Sequence, residues 1–406
     1  MNDSLLHLHR TGSRYQRKGD YPGARGYFEE VLRLPDEPGN RFHAAALYHL
    51  AQMEEDLRKK KIYLEKCLLK EPAHRMARVL SACLTPSMQK RLEVDKEEII
   101  RPFFEKYPLN IQLQTVSTCN AKCKTCPYHP SWHRENPGKM SDAVFDHLMK
   151  LLRHIPMGKI CLYLENEPLL DPALFKRIET IKTALNFREI EISTNGSAFT
   201  RPIIKKLYHA LKDISHQVWI SWHGITPGSY KKLMGLDFNR NLEMLRDYFR
   251  LTRGELRTKV RTIVGGKLDK DERYSSAQEA EAFFKRIISE CDVPDTNTTI
   301  YPFLYHDRAG DIETEGTADS RYLSMKGKLK PSCCRIDEWL HVLYDGDIIL
   351  CCMDYHKETM AGNVFSFDTL EKLLGSGPLL RLRQKAHGKI ETGIDFICKR
   401  CIAPGG

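Results

Sequence analysis

Three cysteines stand close together after a β-rich run: Cys119, Cys123 and Cys126, in the segment TCNAKCKTCPY. The spacing C-x3-C-x2-C puts three thiolates on one strand-to-loop turn. That is enough to hold three irons of a [4Fe–4S] cube and leave the fourth iron open to a small molecule. A structural zinc ion takes four protein ligands, and His129 is the one residue nearby that could complete such a set, so zinc stays open. A second group lies near the other end of the chain: Cys333-Cys334, Cys351-Cys352 and Cys398-x2-Cys401. Four of its thiolates, taken as Cys334, Cys351, Cys398 and Cys401, can close a second [4Fe–4S] cluster or bind tetrahedral zinc. The doublets leave the choice open. Successive strand residues face opposite ways, so only one of Cys351 and Cys352 can face the metal, and the distance from Gly346 favours Cys351. Cys67, Cys83, Cys161 and Cys291 stand alone in apolar or helical surroundings and read as small buried hydrophobes.

These groups need a scaffold, and a chain of 406 residues is long enough for two or three domains. Residues 1–85 read as all-helical. The stretch KGDYPGARGYFEEVLRLP, with Gly19, Asp20, Tyr21, Ala24, Phe28 and Val31 ahead of Pro35, resembles the second half of a tetratricopeptide (TPR) repeat. A weaker copy ends at Pro72, at a spacing near the repeat's roughly 34-residue period. The resemblance implies a groove for a peptide or protein partner; a plain helical bundle is the other reading.

Residues 86–315 alternate strand-like and helical runs. Candidate strands are 110–116, 159–164, 189–194, 217–222, 258–264 and 298–304, separated by amphipathic stretches such as DAVFDHLMKLLRHI. Such alternation predicts an α/β domain with a parallel sheet. About six units are countable, fewer than the eight of a full barrel, so the expected core is a partial (β/α)6 TIM-like barrel. Residues 316–406 open on a polar stretch and continue as a small Cys-rich α+β module, with a hairpin turning on Asp345-Gly346.

Placed after the first strand of a six-unit α/β region, Cys119, Cys123 and Cys126 resemble the signature of the radical S-adenosylmethionine (SAM) superfamily. The resemblance implies a [4Fe–4S] cluster held by three cysteines and SAM. It further implies a 5′-deoxyadenosyl radical that takes a hydrogen atom from substrate. Thr125 stands where the family usually has an aromatic residue whose backbone contacts adenine. In YLENEPLLDP only Glu167 and Pro168 match the motif that holds the SAM amino group, with Glu165 and Asn166 replacing its glycines. ISTNG resembles the polar patch facing SAM, which implicates Ser193, Thr194 and Asn195; its bland reading is a turn with a helix cap. Ligands gather at the carboxyl ends of strands, so His223 in WISWHG and Arg308 in HDRAG are candidates to face substrate. The order Cys334, Asp345-Gly346, Cys351, Cys398-x2-Cys401 resembles a shortened SPASM, or twitch, extension, which implies one auxiliary [4Fe–4S] cluster.

The net charge of +10 is spread along the chain, so a solvated basic surface is the leading expectation; such a surface could also attract an anionic substrate, an acidic leader peptide or, as the least expected partner, nucleic acid. No secretory leader and no run long enough to span a membrane is visible, and a cytoplasmic enzyme is expected. The resemblance adds a flavodoxin- or ferredoxin-like electron donor. The leading expectation is an oxidoreductase acting on an alcohol, a sugar-like molecule or a peptide. Methylation or carbon–carbon bond formation on a peptide is the alternative within the same chemistry. A zinc-stapled TPR scaffold with no catalysis is the alternative outside it.

Overall fold

The structure is a computed structural model. It describes residues 2–17, 20–35, 42–54, 57–72, 74, 77, 109–265, 267–269, 272–303, 307–312, 327, 329 and 333–401. The expected boundaries near 85 and 315, Cys83, Gly19 and most of the polar stretch after Gly310 lie outside these residues. The chain divides into two compact units, Met1–Pro102 and Phe103–Gly406.

The first unit contains α1 (Asn2–Arg17), α2 (Tyr21–Arg33), α3 (Phe42–Met53) and α4 (Leu57–Lys70), each packed on the next. Asp20 caps α2 by accepting from Gly23 N at 2.9 Å, which satisfies one of the helix's unbonded first-turn amides. Ala24, Phe28 and Val31 recur at helical spacing and are buried with Leu5, Ala46 and Leu50.

The second unit is built on one large sheet and a separate two-stranded hairpin. Its strands are β1 (Leu109–Leu113), β2 (Met157–Cys161), β3 (Phe187–Thr194), β4 (His216–Ser221), β5 (Thr258–Ile263), a small hairpin of β6 (Lys267–Asp269) and β7 (Glu272–Arg273), and β8 (Thr298–Phe303). Strands β1, β2, β3, β4, β5 and β8 run parallel in that order. The crossovers carry α5 (Trp132–Glu135), α6 (Asp142–Leu152), α7 (Leu174–Ala184), α8 (Arg201–Leu211), α9 (Pro227–Met234), α10 (Phe238–Thr252) and α11 (Ala277–Glu290). Six parallel strands in sequential order, with helices between, match the expected mixed α/β core.

Period-two alternation decides what each sheet face does. Ile111, Leu113, Ile160, Ile190, Ile192, Val218, Ile220 and Val260 are fully buried and supply the apolar layer. The opposite face carries Lys159, Glu189, Glu191, Trp219, Lys259 and Arg261, paired across neighbouring strands.

The Cys-rich module does not stand apart. After α12 (Cys334–Asp337), β9 (Trp339–Val342) pairs in parallel with β1, and β10 (Asp347–Ile349) and β11 (Met360–Asn363) follow antiparallel. The expected hairpin therefore extends the sheet beyond β1, giving nine strands in all among the described residues. Its turn needs Gly346, whose φ is +87° and where a Cβ would meet Val364 at 2.9 Å. Then come α13 (Leu370–Leu374), α14 (Gly377–Ala386) and α15 (Ile397–Arg400). No described helix is long and apolar enough to cross a membrane.

Candidate functional site

The cysteine loop leaves β1 and is held from two sides. Lys122 N and Lys124 N donate to Met234 O and Leu233 O at the end of α9 (2.8 and 2.9 Å), and Glu167 N donates to Thr118 O at 3.0 Å. Gly235 terminates α9 with φ +67°, and a Cβ there would meet Lys122 Cβ at 2.7 Å. The loop thus lies against the helix end because residue 235 has no side chain.

Within the loop the three thiols feel one another. Burial pushes Cys119 up to about 12, with Glu167 and Cys126 adding to it, and Asn195 Nδ2 donates to its Sγ at 3.8 Å. Cys123 is raised by burial and by Cys126 and Cys119, against which the Arg308 guanidinium acts. The Cys126 thiol faces Tyr355 Oη at 3.8 Å, from the Cys-rich module. Thiols this buried ionise only when a strong local positive charge, such as bound iron, takes them as ligands.

Glu167 is buried where β2 gives way to its loop. Its Oε1 accepts from Thr194 Oγ1 at 2.6 Å and Leu169 N at 3.1 Å, and Oε2 from Asn195 N at 2.7 Å. Burial raises its pKa to about 7 in spite of these donors. Glu167 therefore ties the ends of β2 and β3 together and fixes Asn195 beside Cys119. Ser193 lies opposite Trp219 on β4. Thr125 is buried, and its carbonyl accepts from Arg308 Nε at 3.4 Å. His223 is buried just beyond β4, its ring edge-on to Phe303, and burial with Arg261 and Arg308 lowers its pKa to about 3.

In the Cys-rich module, Cys333, Cys351, Cys398 and Cys401 line one cavity, with Ile336, Met353, Ala386 and Ile397 as its apolar wall. Cys333, and not Cys334, belongs to this wall. Cys333 is the extended N-cap of α12 (φ −116°, ψ 108°) and Cys334 is the first helical residue, so the backbone turns between them and their side chains diverge. Cys351 is on the wall; Cys352 does not line it, but packs both toward Leu164, Leu343 and Ile349 and against the cluster of Ala309, Met353 and Ile397. Arg335 places its positive charge beside Cys352, Cys351, Cys333 and Cys401, and these thiols raise its pKa further. Among the described residues, no three ligating side chains close on a point as a single metal ion requires.

Arg308, Ala309 and Gly310 join the two thiol groups. All three have positive φ (50°, 61° and 90°). Arg308 reaches Thr125 in the first loop, and Ala309 packs with Cys351, Met353 and Ile397 in the second group. Left-handed backbone at two non-glycine residues costs on the order of 1–3 kcal/mol each and persists only where the surroundings enforce it.

Several residues here escaped the sequence reading. Glu165 has φ +55°, and its side chain, 1% exposed, pairs with His133. Gln114 Nε2 lies 3.2 Å from His133 Nδ1, so with the amide donating there, the imidazole N–H faces Glu165. Burial, then Asp354, Cys352 and Cys126, raise the Glu165 pKa, and burial, then Lys357, lowers that of His133 to about 4. The replacement of a motif glycine by Glu165 was the available signal. Tyr355, Arg261 and Gly235 carried none, since each acts through an element distant in sequence.

The radical SAM superfamily model matches residues 113–280, and the SPASM iron–sulfur cluster-binding domain model matches residues 333–402. No curated protein matches the chain in sequence. Among solved structures, BtrN in complex with AdoMet and 2-DOIA is similar at 17% identity, with 72% of this chain and 92% of that chain covered and a TM-score of 0.46. anSMEcpe with bound AdoMet and Cp18Cys peptide is similar at 17% identity over 72% of this chain and 90% of that one, with a TM-score of 0.45. Streptococcus suis SuiB bound to precursor peptide SuiA is similar at 12% identity over 91% and 79%, with a TM-score of 0.48. A radical SAM domain carries a [4Fe–4S] cluster and binds SAM, and a SPASM domain carries auxiliary iron–sulfur clusters. This chain has both: a radical SAM domain followed by a SPASM domain.

Proposed function

We propose that the chain abstracts a hydrogen atom from an alcohol, sugar-like or peptide substrate and completes an oxidation through its second thiol group. Cys119, Cys123 and Cys126 are the proposed ligands of the SAM-binding cluster. Cys333, Cys351, Cys398 and Cys401 are the proposed ligands of one auxiliary [4Fe–4S] cluster, as in twitch modules. The cavity that joins these four thiols on one wall supports that set over one containing Cys334. Bound together, SAM and the first cluster supply a 5′-deoxyadenosyl radical after one-electron reduction.

The chain's own residues then have distinct tasks. Asn195 orients Cys119, Glu167 holds Asn195 and Thr194 in place, and Thr125, Ser193 and Thr194 border the SAM site. His223 and Arg308 face the substrate space at the strand ends. The observation that carries the oxidative reading is the turn at Arg308-Ala309. It touches both thiol groups, so an electron leaving substrate has a short packed layer to cross.

We also take residues 1–85 as a TPR-like partner-binding domain, 86–315 as the core and 316–406 as the auxiliary module. A flavodoxin- or ferredoxin-like donor and a reducing cytoplasm suit a chain whose described cysteines are free thiols. Anaerobic reconstitution tests the reading: about eight irons are expected in the native chain and about four in either C119A/C123A/C126A or C333A/C398A/C401A. 5′-Deoxyadenosine should form with dithionite in the second variant and not in the first. S-adenosylhomocysteine in place of 5′-deoxyadenosine would move the chain to methylation.

A further inference from the structure

The polar face of the sheet carries more positive charge than its own carboxylates neutralise. Glu189 is taken by Lys159 at 3.1 Å and by Arg257. Glu191 is taken by Lys159 at 3.0 Å and by the Tyr163 hydroxyl. Both acids are thus engaged from the β2 side or the outer end of β5. Farther along β5, Arg261 has no carboxylate at ion-pair distance among the described residues. Its guanidinium instead lies over the Trp219 ring, 4.4 Å from the centroid, and Lys259 lies over the same ring at 4.8 Å. Tyr301 closes on Trp219 edge-on at 5.4 Å.

Just past the end of β4, the strand that carries Trp219, His223 is 6% exposed and its Nδ1 is buried without a hydrogen-bond partner. Arg261 and Arg308 are the two charges that act on it. Arg261 is partly buried and feels Glu191 only from beyond ion-pair distance, and a buried ring nitrogen without a partner, as at His223, costs free energy too. Stacking on Trp219 restricts the guanidinium's orientation, leaving its planar fork of donors for a partner with two oxygens on one atom.

We propose that Arg261, together with His223, holds an oxyanion of the substrate, a carboxylate or a phosphate. This rests on the reading of the strand ends as the substrate side of a radical SAM site, and it names the substrate class: an acidic molecule anchored through its anion while a different carbon loses hydrogen. A neutral sugar or unmodified alcohol leaves Arg261 unneutralised and is disfavoured.

The test uses reconstituted holoenzyme saturated with SAM under anaerobic conditions. Inorganic phosphate and acetate serve as separate probes in isothermal titration. One equivalent of at least one probe is expected to bind the native chain and to bind Arg261→Gln at least tenfold more weakly. Arg261→Lys, which keeps the charge and loses the fork, should fall between them. Arg286→Gln removes a charge from the exposed face of α11 and should bind as native. Phosphate favoured over acetate identifies a phosphate ester, and the reverse a carboxylate.

Equal binding by Arg261→Gln and native chain overturns the inference. So does an equal loss in Arg286→Gln, which reports only net charge. If Arg261→Gln weakens SAM itself and phosphate competes with SAM, Arg261 holds the SAM carboxylate and the inference also falls. Formation of 5′-deoxyadenosine is read separately in each variant, and iron content shows that each has folded. A native chain that binds the anion but forms no 5′-deoxyadenosine sinks the radical reading while upholding the oxyanion site.

Discussion

The two thiol groups are built on opposite plans. The first is a loop whose positions come from elsewhere: α9 holds its backbone, Asn195 its first sulfur, and Arg308 its Thr125 carbonyl. The second is a cavity lined by four thiols together with the apolar Ile336, Met353, Ala386 and Ile397. A three-thiol loop bordered by hydrogen-bonding groups leaves one iron for an exchangeable ligand. A four-thiol cavity in an apolar wall closes its iron off and suits electron transfer. The difference lies less in the cysteines than in what is packed around them.

The largest expected effects test the ligand sets. Cys333→Ser should remove about four irons while Cys334→Ser leaves the count unchanged; the reverse result transfers the ligand role to Cys334 and breaks the cavity assignment. Next in size is Gly235→Val. The new side chain meets Lys122 and adopts φ +67°, so we expect a loss of roughly 2 kcal/mol or more, read as a lower unfolding midpoint. First-cluster iron should fall and auxiliary-cluster iron should stay. Equal loss from both sites would show that the plans are not independent.

A smaller effect concerns Glu167. Its folded pKa of about 7 lies above the ordinary carboxylate range, so the folded chain binds the extra proton. The contribution is fully present below about pH 4 and is lost as pH rises toward 7. Glu167→Gln, neutral at every pH, should flatten that fall in the unfolding midpoint. Because Gln cannot accept all three hydrogen bonds, it should also cost about 1–3 kcal/mol at pH 5. An unchanged pH slope would remove Glu167 as the source. The smallest effect is expected for Tyr355→Phe, which removes the hydroxyl beside Cys126. The first cluster's midpoint potential should drop on the order of tens of millivolts with iron content unchanged. No shift by redox titration would mean that Tyr355 does not reach the ligand sulfur once iron is bound.

Much of this architecture was legible in the chain. The alternating runs located the six parallel strands to within a few residues, since period-two burial is written into Ile190, Ile192, Val218 and Ile220. The hairpin turn at Asp345-Gly346 was readable because a positive φ selects glycine. Cys161 and Cys291 are buried as their isolation suggested. Less visible was the joining of β9 to β1, because an edge strand's partner across some 230 positions leaves no local periodicity. The choice between Cys333 and Cys334 was equally hidden, since it turns on where a four-residue helix begins.

What the chain alone determined was chemistry set by short spacing: three cysteines on one turn, a Cys-x2-Cys near the end, and strands whose alternation is local. Such features are determined by a few consecutive dihedrals and side-chain types. Tertiary structure decided which thiols share a wall, that Arg308 and Ala309 join the two groups, and that Arg261 stacks on Trp219 while its charge acts on His223. Those meetings join residues from strands and loops far apart in the chain. Their free energy comes from burial and packing, which no local pattern encodes.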